Sequence, residues 1–191
     1  MDLRPLILEG THVRLEPLSL AHLDTLVEAG REWGLTRERV RDGIEAALRD
    51  QAAGTALPFA TVHRASGRVV GGTRFRDAVA AHRRIEIGST WVAAPWRRTA
   101  VNTEAKYLML THAFERLGCV RVEFRVDAEN HVSRRAVRRL GATEEGTLRS
   151  YTVSAEGEAR DVVSYSVIAP EWPAVRARLE ALLARGGPAA G

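Results

Sequence analysis

The chain has 191 residues, 45% of them apolar and 27% charged, with a net charge of +4 at neutral pH. That length and balance describe one globular unit with a core of its own, and they set aside collagenous, low-complexity and disulfide-stapled chains. Lys106 is the one lysine, so the positive charge is almost wholly arginine; a coding bias and an anionic ligand both account for that, and its spread along the chain makes nucleic acid a secondary expectation.

Cys119 has no partner for an internal disulfide, and no Cys-x-x-Cys or His-x-x-x-His spacing suggests a metal. Met1 to Pro5 lead into no long apolar run and nothing reaches the length of a membrane span, so a cytoplasmic protein is expected.

Residues 11–18 read as a first strand, and Ser19 is placed to cap a helix carrying Leu20, Leu23, Leu26 and Val27 as far as Gly30. Thr36 opens a second helical pattern with Val40, Ile44, Ala47 and Leu48. Trp33 stands on the connection between them, where local packing is the ordinary role of an aromatic and lining an acceptor pocket the more specific one. Residues 57–63 and 68–77 read as strands joined at Ser66-Gly67, a hairpin signal. After a turn near Ala80 and Ala81, residues 84–92 form a strand with Ile85, Ile87 and Trp91 expected on one face and Glu86, Gly88 and Thr90 on the other.

At Pro95-Trp96-Arg97-Arg98-Thr99-Ala100-Val101-Asn102 this strand hands over to a helix in which Val101, Ala105, Leu108, Met109, His112, Ala113 and Leu117 recur at helical spacing. Asn102 is the expected cap and Gly118 the expected end. Residues 119–127 alternate as a further half-buried strand, and a crossover of this length makes the two strands parallel. The helix start then lies at the carboxyl edge of the first strand, where unpaired N–H groups and the helix dipole suit a phosphate. Asn130-His131-Val132-Ser133 opens a short helix with Val132, Ala136 and Leu140 apolar, closed by Gly141. A long hairpin, 146–153 and 158–168, turns at Ala155-Glu156-Gly157; a last helix runs from Glu171 to about Ala184. One domain over residues 1–185 and a disordered tail at 186–191 are expected.

These elements, with Arg97 to Asn102, Thr103-Glu104-Ala105, Ala113-Phe114-Glu115-Arg116-Leu117-Gly118, Asn130-His131-Val132-Ser133, Leu140-Gly141-Ala142 and Glu145-Gly146-Thr147-Leu148-Arg149, resemble the GNAT superfamily of N-acetyltransferases. Within it the chain looks most like the RimJ/RimL-type ribosomal-protein N-terminal acetyltransferases. The resemblance implies an α/β, three-layer fold with a mixed, mostly antiparallel sheet of six or seven strands and one parallel, splayed pair. It implies acetyl-CoA as acyl donor, with Arg97, Arg98, Thr99, Ala100, Val101 and Asn102 around the pyrophosphate. Thr90, Trp91 and Val92 would lie along the pantetheine, and Asn130 and Ser133 toward its thiol end. The acceptor is a primary amine, on a protein N-terminus or a small molecule. The chain departs from the pattern at Ala100, where the first signature glycine is expected, at Asn102, where a second glycine or alanine is expected, and at Val137, where many relatives carry a tyrosine as general acid.

Direct transfer to an amine needs a base, a donor for the developing oxyanion and a proton for the thiolate. Glu86 is the carboxylate chosen as base, through water, and Ser133 the residue near the sulfur. The plainer roles are an ion pair for Glu86 with Arg83, Arg84 or an arginine of the next strand, and a helix-cap or solvent position for Ser133. Arg134, Arg135, Arg138 and Arg139 form a solvated face unless one meets the 3′-phosphate. Glu104 can neutralise the helix dipole itself. Tyr151, Val163 and Tyr165 either face a second copy or complete the core. An acyl-CoA-binding module without turnover and a basic RNA- or ribosome-associated protein are the alternatives from other classes.

Overall fold

The computed structural model describes residues 1–154 and 156–185; Ala155 at the hairpin turn and the expected tail at 186–191 lie outside the described residues. Alternating apolar residues build eight strands: β1 (Leu8–Glu9), β2 (Val13–Pro17), β3 (Leu57–His63), β4 (Arg68–Val79), β5 (Arg84–Val92), β6 (Arg121–Asp127), β7 (Thr143–Val153) and β8 (Ala159–Ile168). They form one sheet in the order β1-β2-β3-β4-β5-β6-β8-β7. Every neighbouring pair is antiparallel except β5 and β6. The two-residue β1 carries the sheet past the six or seven strands expected, and β7 starts three residues earlier than the sequence suggested.

The helices are α1 (Leu23–Ala29), α2 (Arg37–Ala52), α3 (Ala100–Thr111), α4 (His131–Leu140) and α5 (Trp172–Ala184). Val13, Leu15, Phe75, Ile85, Ile87, Val122 and Phe124 pack on one side of the sheet with Val101, Ala105 and Met109 of α3 and Val175 and Leu179 of α5. Leu23 and Leu26 of α1 and Val40 and Ile44 of α2 form a second cluster with Val69 and Trp91. Each fully buried aliphatic side chain contributes roughly 1.5–3 kcal/mol, which commits the central strands β2 to β6 and β8 to their faces.

Trp91 therefore sits on the opposite face from Ile85 and Ile87, contrary to plain alternation. The cause is a bulge: Ser89 has φ of 48°, and Trp91 pairs with Gly72 while Gly88 pairs with Arg74, so β5 spends three steps where β4 spends two. Beyond the bulge the faces exchange, and Thr90 turns toward α3. Gly71 permits the pairing because a Cβ there would lie 2.2 Å from the Trp91 carbonyl oxygen.

α3 begins at Ala100, capped by Thr99 rather than Asn102; the extended Thr99 accepts the Val101 N–H at 3.3 Å. Asn102 is the third residue of the helix. A π-helical turn, His112–Arg116, follows α3, and Gly118 ends it with φ of 65°. Glu104 does not spend its charge on the dipole. Its carboxylate is buried and accepts three backbone N–H groups of the turn before β2, from Thr11 (2.8 Å), His12 (2.6 Å) and Val13 (2.7 Å). Of the hairpin residues, Val163 and Tyr165 complete the core, whereas Tyr151 and the whole of β7 are exposed.

Candidate active site

β5 and β6 pair only at Arg84–Arg121, Ile85–Val122 and Glu86–Glu123, then diverge. The second half of β5 thus presents a free edge pointing at the start of α3. First-turn N–H groups have no acceptor within their own helix. Here the Val101 N–H is taken by Thr99, and among the described residues no acceptor meets those of Arg98, Thr99, Ala100 or Asn102. The buried Asn102 Oδ1 likewise has no donor. Free donors, the positive helix end and an orphaned acceptor beside an open strand edge fit a long anionic ligand with amide groups, as acyl-CoA is.

The departures from the glycine pattern cost little at the positions where they fall. Ala100 and Asn102 are helical; the left-handed residue of the turn is Arg98, with φ of 61°. Arg97 is not aimed outward. Its Nε donates to the Val92 carbonyl (3.0 Å), Nη2 donates to Glu32 (2.8 Å), and the guanidinium lies 4.5 Å from the Trp33 ring centroid. Glu32 also accepts the Ala94 N–H at 2.7 Å, and Trp33 meets Trp91 edge-on at 5.4 Å. The connection between α1 and α2 is thereby fastened to the turn.

Under this edge lies a group the sequence reading passed over. Lys106 is 4% exposed and donates to the hydroxyls of Thr73 (3.0 Å) and Thr90, which are 2.8 Å from each other. Burial pushes its ammonium down to about 7. The signal was present: Lys106 stands three residues before Met109 and seven before Ala113, on the core face of the helix, in a chain otherwise using arginine.

On the opposite face of the sheet, Glu86 is 3% exposed between Arg76 of β4 and Arg125 of β6. Its oxygens lie 3.2 Å from Arg125 Nη1 and 3.9 Å from Arg76 Nε. Burial raises its carboxyl above the usual range; Arg76 and Arg125 oppose that, and Asp77 and Glu123 reinforce it. Gly88 leaves room for it, since a Cβ there would fall 2.8 Å from Glu86 Oε1. The ion-pair partners are thus on both adjacent strands, while Arg84 pairs with Glu123.

Asn130 caps α4 by accepting the Ser133 N–H at 3.0 Å, so the Asn-x-x-Ser spacing has a local structural reason; the half-buried Ser133 keeps its hydroxyl outside that bond. Val137 is in the core. Arg134 donates to Tyr165 and the Ala128 carbonyl, Arg138 to Glu144 and Arg139 to Thr103, which leaves Arg135 exposed on this helix.

Two clefts of about 360 and 320 Å³ lie elsewhere, one among Gly10, Glu104, Tyr107 and Glu180 and one among Asp2, Pro5 and His112, so the candidate site is an open strand edge rather than either cleft. Among the described residues no group of three or more His, Cys, Asp or Glu is placed to hold a metal, and no helix is long and apolar enough to cross a membrane.

The chain matches the Acetyltransferase (GNAT) domain family over residues 12–143. It is 29% identical over 102 residues to the uncharacterized N-acetyltransferase YoaA of Bacillus subtilis (strain 168), covering 53% of this chain and 56% of that one, so the match spans about half the length of that relative. The crystal structure of a GCN5-related N-acetyltransferase from Brucella melitensis is 32% identical, covers 94% of this chain and 86% of its own, and superposes with a TM-score of 0.87. The acetyltransferase from Salmonella typhimurium that modifies the N-terminal serine of 50S ribosomal protein L7/L12 shares the fold at a TM-score of 0.75 and 18% identity, over 85% of this chain and 99% of that one. The match over residues 12–143, on a sheet with its one parallel pair splayed at the start of α3, makes this chain a member of the GNAT acetyltransferase domain family.

Proposed function

We propose that the protein is an acetyl-CoA-dependent N-acetyltransferase that passes the acetyl group directly to a primary amine, with no acyl-enzyme. The observation that carries this reading is the free edge of β5, diverging from β6 beside unpaired N–H groups of the α3 start. Acetyl-CoA supplies an activated acyl group on a good leaving sulfur. The free N–H groups of Arg98, Thr99, Ala100 and Asn102 hold its pyrophosphate, Thr90, Trp91 and Val92 its pantetheine, and Asn130 and Ser133 flank the thiol end. Glu86 accepts a proton from the amine through water, and the acceptor approaches over the face carrying Asp77, Glu86, Arg125 and Tyr151. The buried lone thiol Cys119 supports a cytoplasmic setting and the exposed edge strand β7 a homodimer.

Calorimetric titration with acetyl-CoA, free CoA and dephospho-CoA tests the reading: saturable binding by the first two is expected, and weaker binding of the third if Arg135 meets the 3′-phosphate. Folded protein that binds none of them overturns it. Ala100→Glu, which puts a carboxylate in the first turn of α3, should weaken acetyl-CoA about tenfold or more by like-charge repulsion; unchanged affinity would place the anion elsewhere. Glu86→Gln should lower turnover by about 10²-fold with acetyl-CoA affinity intact. Because burial raises the Glu86 carboxyl, the rising limb of the wild-type pH–rate profile should lie above the range of an ordinary glutamate and vanish in the variant.

A binding module without turnover is the second reading, favoured by Val137 in the core where an acidic tyrosine is usual. Cofactor binding with no acetylation across a panel of amines and N-terminal peptides is its signature.

A further inference from the structure

We propose that Lys106 is the proton source for the departing sulfur, acting through the hydroxyl of Thr90. The inference rests on the acetyl-CoA reading above and gives the reaction the acid that Val137 cannot be. Its ground is a hydrogen-bonded chain running from the interior to the open edge: Thr73, Lys106 and Thr90 are mutually bonded, the first two are buried, and Thr90 is exposed on β5 beyond the point where β5 leaves β6.

Among the described residues no charged group pairs with the Lys106 ammonium, and burial is what lowers its pKa; on α4, the Arg139 guanidinium is bonded to Thr103. On α3, Glu104 is turned to the backbone of Thr11 to Val13, and His112 lies against Phe75 at 6.1 Å. On the sheet, Arg74, Arg76 and Glu86 occupy the opposite face, and β2 presents Val13 and Leu15. A guanidinium here would keep its proton at any working pH, whereas a desolvated amine releases one near neutrality. That difference gives a lysine at this position a use that arginine would lack.

The step balances. The acceptor nitrogen bonds to the acyl carbon, and the sulfur leaves with the electron pair of the C–S bond. Thr90 gives its hydroxyl proton to the sulfur and takes one from the Lys106 ammonium, producing a thiol and a neutral amine. The proton shed by the acceptor nitrogen passes to Glu86 and solvent, and Lys106 is reprotonated from water once the thiol has gone.

Because Lys106 is the sole lysine, protein labelled with ¹³C-lysine gives one ε-carbon signal to titrate. Its midpoint should lie near 7 in the free protein, rise when CoA is bound and stay put with desulfo-CoA, which has no sulfur. A midpoint above about 9, or the same shift with both ligands, overturns the proposal. In Lys106→Met and Thr90→Val, turnover at saturating substrates should fall about tenfold below the midpoint, and the wild-type-to-variant ratio should close toward one above it. In Lys106→Met acetyl-CoA affinity should be unchanged and the protein no less stable than wild type, since Thr73 and Thr90 still bond each other. Weakened binding or a pH-independent ratio would make the residue structural only. Wild-type protein that fails to bind acetyl-CoA overturns the parent reading together with this one; normal binding with equal lysine midpoints overturns this one alone.

Discussion

Glu104→Ala should destabilise the protein by about 4 kcal/mol, read as a lower urea midpoint at neutral pH. The variant removes the acceptor of three backbone N–H groups at the turn into β2. Each donor left without a partner costs roughly 1–3 kcal/mol, least for the exposed Thr11 and most for the buried Val13. Glu104→Gln should lose about half as much, because one end of an amide meets those donors with hydrogens of its own. A carboxylate that merely neutralised the helix dipole would be worth about 0.3–1 kcal/mol and would fade with salt. A loss below about 1 kcal/mol would therefore remove Glu104 from the turn. The same contact explains why Gly10 has no side chain: a Cβ there would fall 2.5 Å from the Glu104 carboxyl.

Lys106→Met should stabilise the protein, most at and below neutral pH. The lysine is pushed from 10.5 to about 7 in the fold. Between those values the unfolded chain holds a proton that the folded chain has released, so wild-type stability rises with pH across that window. Below about 7 the penalty of the buried cation is full; above about 10.5 it is gone. A gap of this size bounds the effect at about 5 kcal/mol, and a few kcal/mol is the expected gain. The difference between wild type and variant is the quantity to plot, because the Cys119 thiol, pushed up from 9.0 to about 11 by burial, makes stability fall with pH in its own range. A flat difference would mean that Lys106 keeps its proton in the fold. Greater stability with lower turnover is the expected mark of a residue retained for chemistry.

Most strands and helices were legible because periodicity and punctuation agreed. Gly118 and Gly141 end their helices in the left-handed region, and Thr36 caps α2 through the Arg39 N–H. Residues 84–92 show what periodicity alone does not carry. One extra residue at Ser89 exchanges the faces, and nothing in a β-branched run marks where a strand takes that step. Asn102 looked the better cap, yet the chain is still extended at Thr99, and the cap falls to the last extended residue with a side-chain acceptor. Glu86 could be placed on a strand facing away from Ile85 and Ile87; that its partners would be Arg76 and Arg125 depends on two neighbouring strands, one of them 39 residues on. Lys106 was hidden by habit, since a lysine is taken for a surface residue unless its position relative to Met109 and Ala113 is weighed.

The fastening of Arg97 to Glu32 and Trp33 makes the α1–α2 connection and the turn before α3 a single mechanical unit. An amine that displaces Trp33 must disturb the backbone of Ala94 and Val92, and a ligand that reshapes the turn must shift Trp33. If the acyl donor sits on this turn as proposed and the amine meets Trp33, the two affinities are linked, and whatever factor the first ligand imposes on the second, the second imposes on the first. On that reading the exposed indole of Trp33 is a determinant of how tightly the acyl donor is held.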